Sequence, residues 1–490
     1  MPNVVFVMTD EQNLRGVSCY KGTLCQTPSV DRLAAEGVLF ERAYCSYPVC
    51  MPSRAAFMTG RYPHVNGVRA NGLTLPDREA SLPAILKAAR YTTALCGKDH
   101  CFSHQARSRV FDYSLTAMHF GLLDPIPEGF PAQAKEANSY YREMRSRLYS
   151  PFGNEVIPYP PEVCDAGLIT EAAIRFVERV GKSPFFLWLS YPGPHWPFTC
   201  PEAYAGLFPP DRVDLPPPDD LSQKPRVQEV ARRLLGLDKA TEADFRKIIS
   251  LYYGNCRYID DQIGRFLARL RALALEEETL VVFTSDHGDY LGEHGLFHKS
   301  PSAYDAITRV PFIWRWPGHI RAGERRPELV EGVDLLPTVL DLCGVPVPPG
   351  VQGISHAEAL LGSAPYRARE ECFCECGVEG RATTLEDLAA MPLPEGPYSE
   401  WALGASGGAD YWNGRLKMVR TDRWKLVYYR RGEGELYDMD ADPWELRNLY
   451  DSPDHQDIVA DLKERLLRWT IESEETLPPL RGSSRQAPGG

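Results

Sequence analysis

Apolar residues fall in short blocks along this chain, and several blocks end on an acid or a histidine. "NVVFVMTD" (3–10), "FFLWLSYPGPHWPF" (185–198) and "TLVVFTSDHGD" (279–289) share that form. Each apolar run is too short and too continuous for an amphipathic helix. Each reads as a parallel strand buried on both faces, with its chemistry at the carboxyl end. Between them lie segments with helical spacing. In "TPSVDRLAAEGVLF" Val30, Leu33 and Val38 recur on one face behind a Thr27 or Ser29 cap. "GLITEAAIRFVERV" (167–180) and "NCRYIDDQIGRFLARLRAL" (255–273) are amphipathic helices of the same kind. Strands alternating with helices predict an α/β fold: a large mixed, mainly parallel sheet sandwiched by helices, with ligands at the strands' carboxyl ends. Asp10, His195, Asp286 and His287 all fall at such ends.

Two proline-rich stretches, 120–165 and 192–224, read as long loops rimming a site. Beyond residue 380 the pattern changes. "LKMVRTDRWKLVYYRRGEGELYDMD" (416–440) alternates as antiparallel strands do, and "DHQDIVADLKERLLRWTIESEE" (454–475) reads as a closing amphipathic helix. The expected organisation is a large domain over 1–380 and a smaller α+β domain over 381–490, with a loose final "RGSSRQAPGG".

Composition narrows the tasks this fold could perform. Of 490 residues, 43% are hydrophobic and 24% charged, which suits a packed globular protein, and the net charge of −12 argues against nucleic acid or an anionic membrane as partner. No apolar run reaches spanning length, and "MPNVVFVMTDEQ" enters a strand without a charged leader region, so a cytoplasmic protein is expected. The thirteen cysteines lack the paired spacing of a disulfide framework, and most read as buried free thiols. In "ECFCECG" three of them alternate, which places Cys372, Cys374 and Cys376 on one strand face.

The candidate chemistry sits at the strand ends. Taken singly, "DE" or "DHG" suits a helix cap or a turn. Asp10 and Glu11 together with Asp286 and His287 make a candidate divalent-cation site. Lys98 and His100 in "CGKDHCF" and Lys299 after "DHGDYLGEHGLFH" add cations and an imidazole beyond strand ends, as an oxyanion pocket requires. Cys50 and Arg54 in "SYPVCMPSRAAFMTGRYPHVNGV" (46–68) stand at a helix entrance that Pro52 marks. The cysteine is thereby set at the positive end of a helix dipole.

These motifs together resemble the sulfatases of the alkaline phosphatase superfamily. "CMPSR" matches the C-x-P-S-R signature of that family. "TDEQ", "GKDH", "PHWPF", "SDHGDYLGEHGLFHK" and "GELYDMDADPWELRNLY" follow in the expected order. The resemblance spans about residues 3 to 320 and 415 to 450. It implies that Cys50 is oxidised by a formylglycine-generating enzyme to formylglycine, an aldehyde that hydrates to a diol. Asp10, Glu11, Asp286 and His287 would hold one divalent metal, completed by the modified Cys50. Arg54 would steady the diol, while Lys98, His195 and Lys299 would bind sulfate oxygens and assist the leaving alkoxide. His100 would be the base that collapses the hemiacetal sulfate. The implied substrate is a small-molecule sulfate ester; association into an oligomer is compatible with all of this.

Two positions depart from the commonest family pattern. Glu11 stands where many sulfatases have Asp, and His287 replaces the more familiar Asn. Calcium is the metal implied by the family, and imidazole brings manganese or zinc into consideration. The Asp-His pairing resembles the choline sulfatase and phosphonate monoester hydrolase branches, and "NGLTL", with Asn71 as a candidate substrate contact, resembles the latter. Phosphonate monoester or phosphodiester hydrolysis is therefore the rival reading. "GKDH" favours sulfate, because that branch tends to carry uncharged hydroxyl residues there. A non-catalytic metal-binding homologue with unmodified Cys50 is the remote alternative.

Overall fold

A computed structural model describes residues 1–21, 24–148, 153–181, 183–299, 302–362, 368–377 and 415–474. The strands are β1 (Asn3–Asp10), β2 (Val38–Tyr44), β3 (Thr92–Gly97), β4 (Tyr113–Met118), β5 (Gly121–Leu122), β6 (Asn154–Ile157), β7 (Phe185–Pro194) and β8 (Phe198–Pro201). They continue as β9 (Thr279–Ser285), β10 (Arg309–Val310), β11 (Phe312–Arg315), β12 (Glu324–Glu331), β13 (Cys372–Cys376), β14 (Leu416–Arg420), β15 (Trp424–Tyr429) and β16 (Gly434–Asp438). The main sheet has the order β10-β2-β11-β9-β1-β7-β3-β4-β5, with β12 also paired to β2. Its centre, β9-β1-β7-β3-β4, is parallel, and β11 runs antiparallel to both β9 and β2. The α/β architecture read from the sequence is the one observed.

Strand period two divides the central strand between two cores. Val5 and Val7 of β1 face helices Asp165–Val180 and Glu242–Ala272; Val4, Phe6 and Met8 face helices Cys50–Thr59 and Leu335–Leu342. A strand covered on both sides has no polar position to spare until it ends. That is why the acids come only at Asp10 and beyond β9.

Three expectations change. The helix predicted through Val38 ends at Ala35, and Val38 opens β2. Gly37 makes the break there: a Cβ on it would lie 2.1 Å from the Trp314 carbonyl oxygen. The helix is not capped by Thr27 or Ser29 side chains. Asp260, on the 31-residue helix Glu242–Ala272, accepts the Ser29 and Val30 amides at 2.9 and 2.8 Å instead. The stretch expected as a loop at 120–165 contains helix Ala134–Leu148, whose Ala134, Ala137, Tyr141, Met144 and Leu148 bury one face at helical spacing.

The C-terminal strands form a separate antiparallel sheet, β13-β14-β15-β16. It begins at Cys372; the boundary expected at residue 380 and the final "RGSSRQAPGG" lie outside the described residues. Cys372, Cys374 and Cys376 do share one face, packed with Leu416 and Met418 against Tyr44, Tyr47 and Val49, in the approach to Cys50. The opposite face (Phe373, Val419, Leu426, Leu436) lies under helix Gln456–Glu472 and its Val459, Leu462, Leu466 and Trp469. The small sheet is thus clamped between the closing helix and the segment that carries the candidate nucleophile.

Candidate active site

Asp10, Cys50, Asp286 and His287 converge from three strand-to-helix junctions, all fully buried, with ligating atoms within 4.8 Å of one another. β1 and β9 are parallel neighbours with Thr9 opposite Ser285, so Asp10 and Asp286 emerge side by side. Helix Cys50–Thr59 starts at the same edge, and its first residue places Sγ 3.6 Å from Asp10 Oδ1 and 3.4 Å from His287 Nε2. Asn71, expected to touch substrate, accepts the Met51 amide at 3.2 Å through its Oδ1 and so also binds the first turn of that helix.

Arg54 was expected to reach back to Cys50. Its buried guanidinium is committed elsewhere: Nε to Asp286 Oδ2 at 2.7 Å, Nη2 to Asp10 Oδ2 at 3.1 Å, and Nη1 to the Lys98 carbonyl and Ser190 Oγ at 2.6 and 2.9 Å. It clamps the two carboxylates, and none of these bonds goes to the cysteine. The planar fork makes this geometry available to Arg and not to Lys.

Glu11 stands beside this quartet. Its φ of 62° is left-handed, a costly conformation for a non-glycine residue. Its amide donates to Asp286 Oδ1 at 3.0 Å, and its carbonyl accepts from Tyr252 Oη at 2.7 Å, which holds the bend. Oε2 receives His195 Nε2 at 2.9 Å and Lys299 Nζ at 3.1 Å. Oε1 is buried and meets no donor among the described residues, leaving one carboxylate oxygen for a cation.

Lys98 and His100 follow β3 through Gly97, whose φ is 111°. A Cβ there would fall 1.7 Å from the Ser190 carbonyl oxygen. Only glycine lets the chain turn against β7 and deliver both residues to the cleft. Lys98 Nζ pairs with Asp10 Oδ2 and donates to His119 Nε2 at 2.6 Å. His119 and Ser190 are site residues that the sequence reading missed. His119 lies between β4 and β5 with no motif around it, and only the neighbouring of β3 and β4 brings it to Lys98.

The electrostatics follow from crowding in a dry site. Burial pushes the Asp10 carboxyl up, but Lys98, His195 and Arg54 outweigh it and hold it well below the usual range. Burial also opposes ionisation of the Cys50 thiol, as does Asp10; Lys299, Lys98 and His287 prevail and lower it well below an ordinary thiol. Burial would discharge His195, yet Glu11 raises it to about 9. His100 is held below its ordinary value by burial and then by Lys98, and its Nδ1 has no partner among the described residues. The cleft thus combines an acidic cation nest, ionised cations above it and a neutral imidazole beside Cys50.

The profile of the sulfatase family matches residues 2–345 of this chain, and that of the N-sulphoglucosamine sulphohydrolase C-terminal region matches 412–472. The chain belongs to the sulfatase family. Its members are sulfuric ester hydrolases within the alkaline phosphatase superfamily. The sulfatase YidJ of Escherichia coli is 30% identical over 485 residues, covering 96% of this chain and 87% of that one. The structure of BT4656 with its substrate D-glucosamine-2-N,6-O-disulfate superposes with a TM-score of 0.76 at 23% identity, covering 98% of this chain and all of that one. The phosphonate monoester hydrolase of Silicibacter pomeroyi also gives a TM-score of 0.76, at 24% identity, covering 97% and 96%. At those identities the two structures speak for the sulfatase fold alone.

Proposed function

We propose that this sulfatase hydrolyses the sulfate ester of a sugar or other small alcohol, with Cys50 matured to formylglycine and one divalent cation in the acidic nest. The observation that carries the proposal is the position of Cys50 Sγ. It is buried at a helix start, 3.4 Å from His287 and 3.6 Å from Asp10, beneath the cations Lys98 and Lys299. The substrate of the BT4656 complex, a sulfated glucosamine, supports a sugar sulfate.

The residues present fit a divalent cation. Asp10, Asp286 and His287, the matured Cys50 and the orphaned Glu11 Oε1 would hold it. Calcium is the first expectation, and the His287 imidazole admits manganese or zinc. Such an ion, when bound, supplies positive charge that draws electron density from sulfate and favours the ionised nucleophile.

A thiolate could attack sulfur, but the resulting adduct has no internal route of release. Matured Cys50 supplies a geminal diol, of which one hydroxyl attacks sulfur and the other, deprotonated, expels sulfate as the aldehyde returns. His100 lies against the Cys50 side chain and is neutral, which suits it to take that second proton. Lys98, His195 and Lys299 ring the cleft as donors to the sulfate oxygens and to the departing alcohol oxygen. Arg54 keeps Asp10 and Asp286 aligned. None of the thirteen cysteines is joined in a disulfide, which favours a reducing compartment, and among the described residues no helix is long and apolar enough to cross a membrane.

Mass analysis of the tryptic peptide Ala43–Arg54 tests this directly. Exchange of sulfur for oxygen should make it lighter than encoded and reactive to an aminooxy probe, with Cys45 still alkylated as internal control. Cys50→Ser should lose nearly all turnover, because its sulfate adduct cannot collapse. Full activity of a protein whose Cys50 is shown to be a thiol overturns the mechanism. Comparing an aryl sulfate with an aryl phosphonate monoester decides between the two ester classes; the Lys98–His100 pair favours sulfate.

A further inference from the structure

The His119 imidazole has no place in the chemistry described above, yet it touches two of its groups. Lys98 Nζ donates to His119 Nε2 at 2.6 Å. The His119 ring lies face to face with that of His195, centroids 3.5 Å apart and planes 14° from parallel. His195 is itself fixed by Glu11 Oε2 and the Trp196 carbonyl. A single side chain therefore ties Lys98 to His195, two of the three donors assigned above to the sulfate and leaving-alcohol oxygens.

We infer that His119 is a positioning residue for leaving-group stabilisation. The Lys98 ammonium has three protons. One goes to Asp10 and one to His119; the third has no partner among the described residues. Asp10 is a strong competitor for Lys98, being anionic and fully buried. His119 Nε2 is a second acceptor, itself 3.6 Å from Asp10 Oδ2, so the two are set at an angle about the ammonium; without it the flexible lysine stem would settle onto Asp10 alone, and its free proton would turn from the cleft. The stack on His195 fixes the imidazole plane that supplies this acceptor. The strand order explains the arrangement: β3, which Lys98 follows, lies between β7, which His195 follows, and β4, which leads to His119.

This deepens the sulfatase reading of the same cleft and rests on it. The predicted signature is a dependence on the leaving group. Stabilisation of the departing oxygen matters little for an acidic phenol and much for a basic one. Wild type, His119→Ala, His119→Gln and His119→Phe would be assayed on aryl sulfates spanning leaving-group pKa values of about 7 to 10, with metal content and thermal midpoint measured alongside. His119→Ala should lose less than about 10-fold in kcat/KM at the acidic end and about 10²-fold at the basic end. Gln keeps an acceptor for Lys98 and should restore most of the loss; Phe keeps only the stack and should not. Gln and Phe both preserve bulk, so their comparison remains decisive even if the alanine variant folds poorly. Equal losses across the series, or rescue by Phe equal to that by Gln, overturn the assignment. A wild-type enzyme that turns over aryl phosphonates and no sulfate overturns the substrate reading beneath it instead.

Discussion

Replacing Arg54 by Lys tests whether the guanidinium is the clamp that the structure depicts. Its four bonds reach two carboxylates, one carbonyl and one hydroxyl, all within 3.1 Å and all buried. A lysine ends in a single nitrogen and can retain one carboxylate. The bond to the other carboxylate, at about 1.5–3 kcal/mol, and the two bonds to neutral acceptors, at about 0.5–1.5 kcal/mol each, would go. The expected loss is about 3–5 kcal/mol, in the range seen when a buried ion pair loses a partner. A chain of 490 residues unfolds with an entropy of about 2.1 cal/mol/K per residue, so the midpoint should fall by about 4 °C. The measurement should be calorimetric and made on chelated protein, because a bound cation adds its own stability. A titration with calcium or manganese should then show affinity lower by about 10- to 100-fold, as expected when supports of metal ligands are lost. An unchanged midpoint together with an unchanged titration would refute the clamp.

Two further outcomes follow from the same geometry. Gly97→Ala should yield little folded or active protein, since its Cβ would collide with the Ser190 carbonyl at a φ of 111°; thermal stability and turnover of any soluble fraction check this. Glu375 on β13 accepts the His64 amide and Nδ1 at 2.7 and 2.8 Å; burial would raise its pKa, but His64 and Lys417 outweigh that and bring it from 4.5 to about 2. The folded state therefore binds fewer protons than the unfolded one, and about 3 kcal/mol of stability is complete above pH 4.5 and fades as pH falls toward 2. The stability gap between wild type and Glu375→Gln, measured by denaturant unfolding, should narrow over that window; a constant gap would show that the Glu375 charge does not contribute.

What was legible in the sequence is what short-range periodicity and covalent order encode. The continuous apolar run of β1, the alternation of the antiparallel strands within 416–440 and the helical spacing of the closing helix depend on near neighbours in the chain, and the chain states them directly. The strand-end acids and the Cys50–Arg54 motif were readable for the same reason, and four of the expected residues do converge. What depended on neighbours distant in sequence was not readable. The cap of helix Pro28–Ala35 comes from Asp260, 230 residues from Val30. Arg54 turns to Asp10 and Asp286 because burial makes two facing carboxylates its strongest partners. His119 carries no motif, and it enters the site only because β4 lies beside β3. Local pattern sets where the chain bends and which face is apolar. Which side chains then meet in a dry cleft, and so which charges must be satisfied by which, is decided by the order of strands in the sheet.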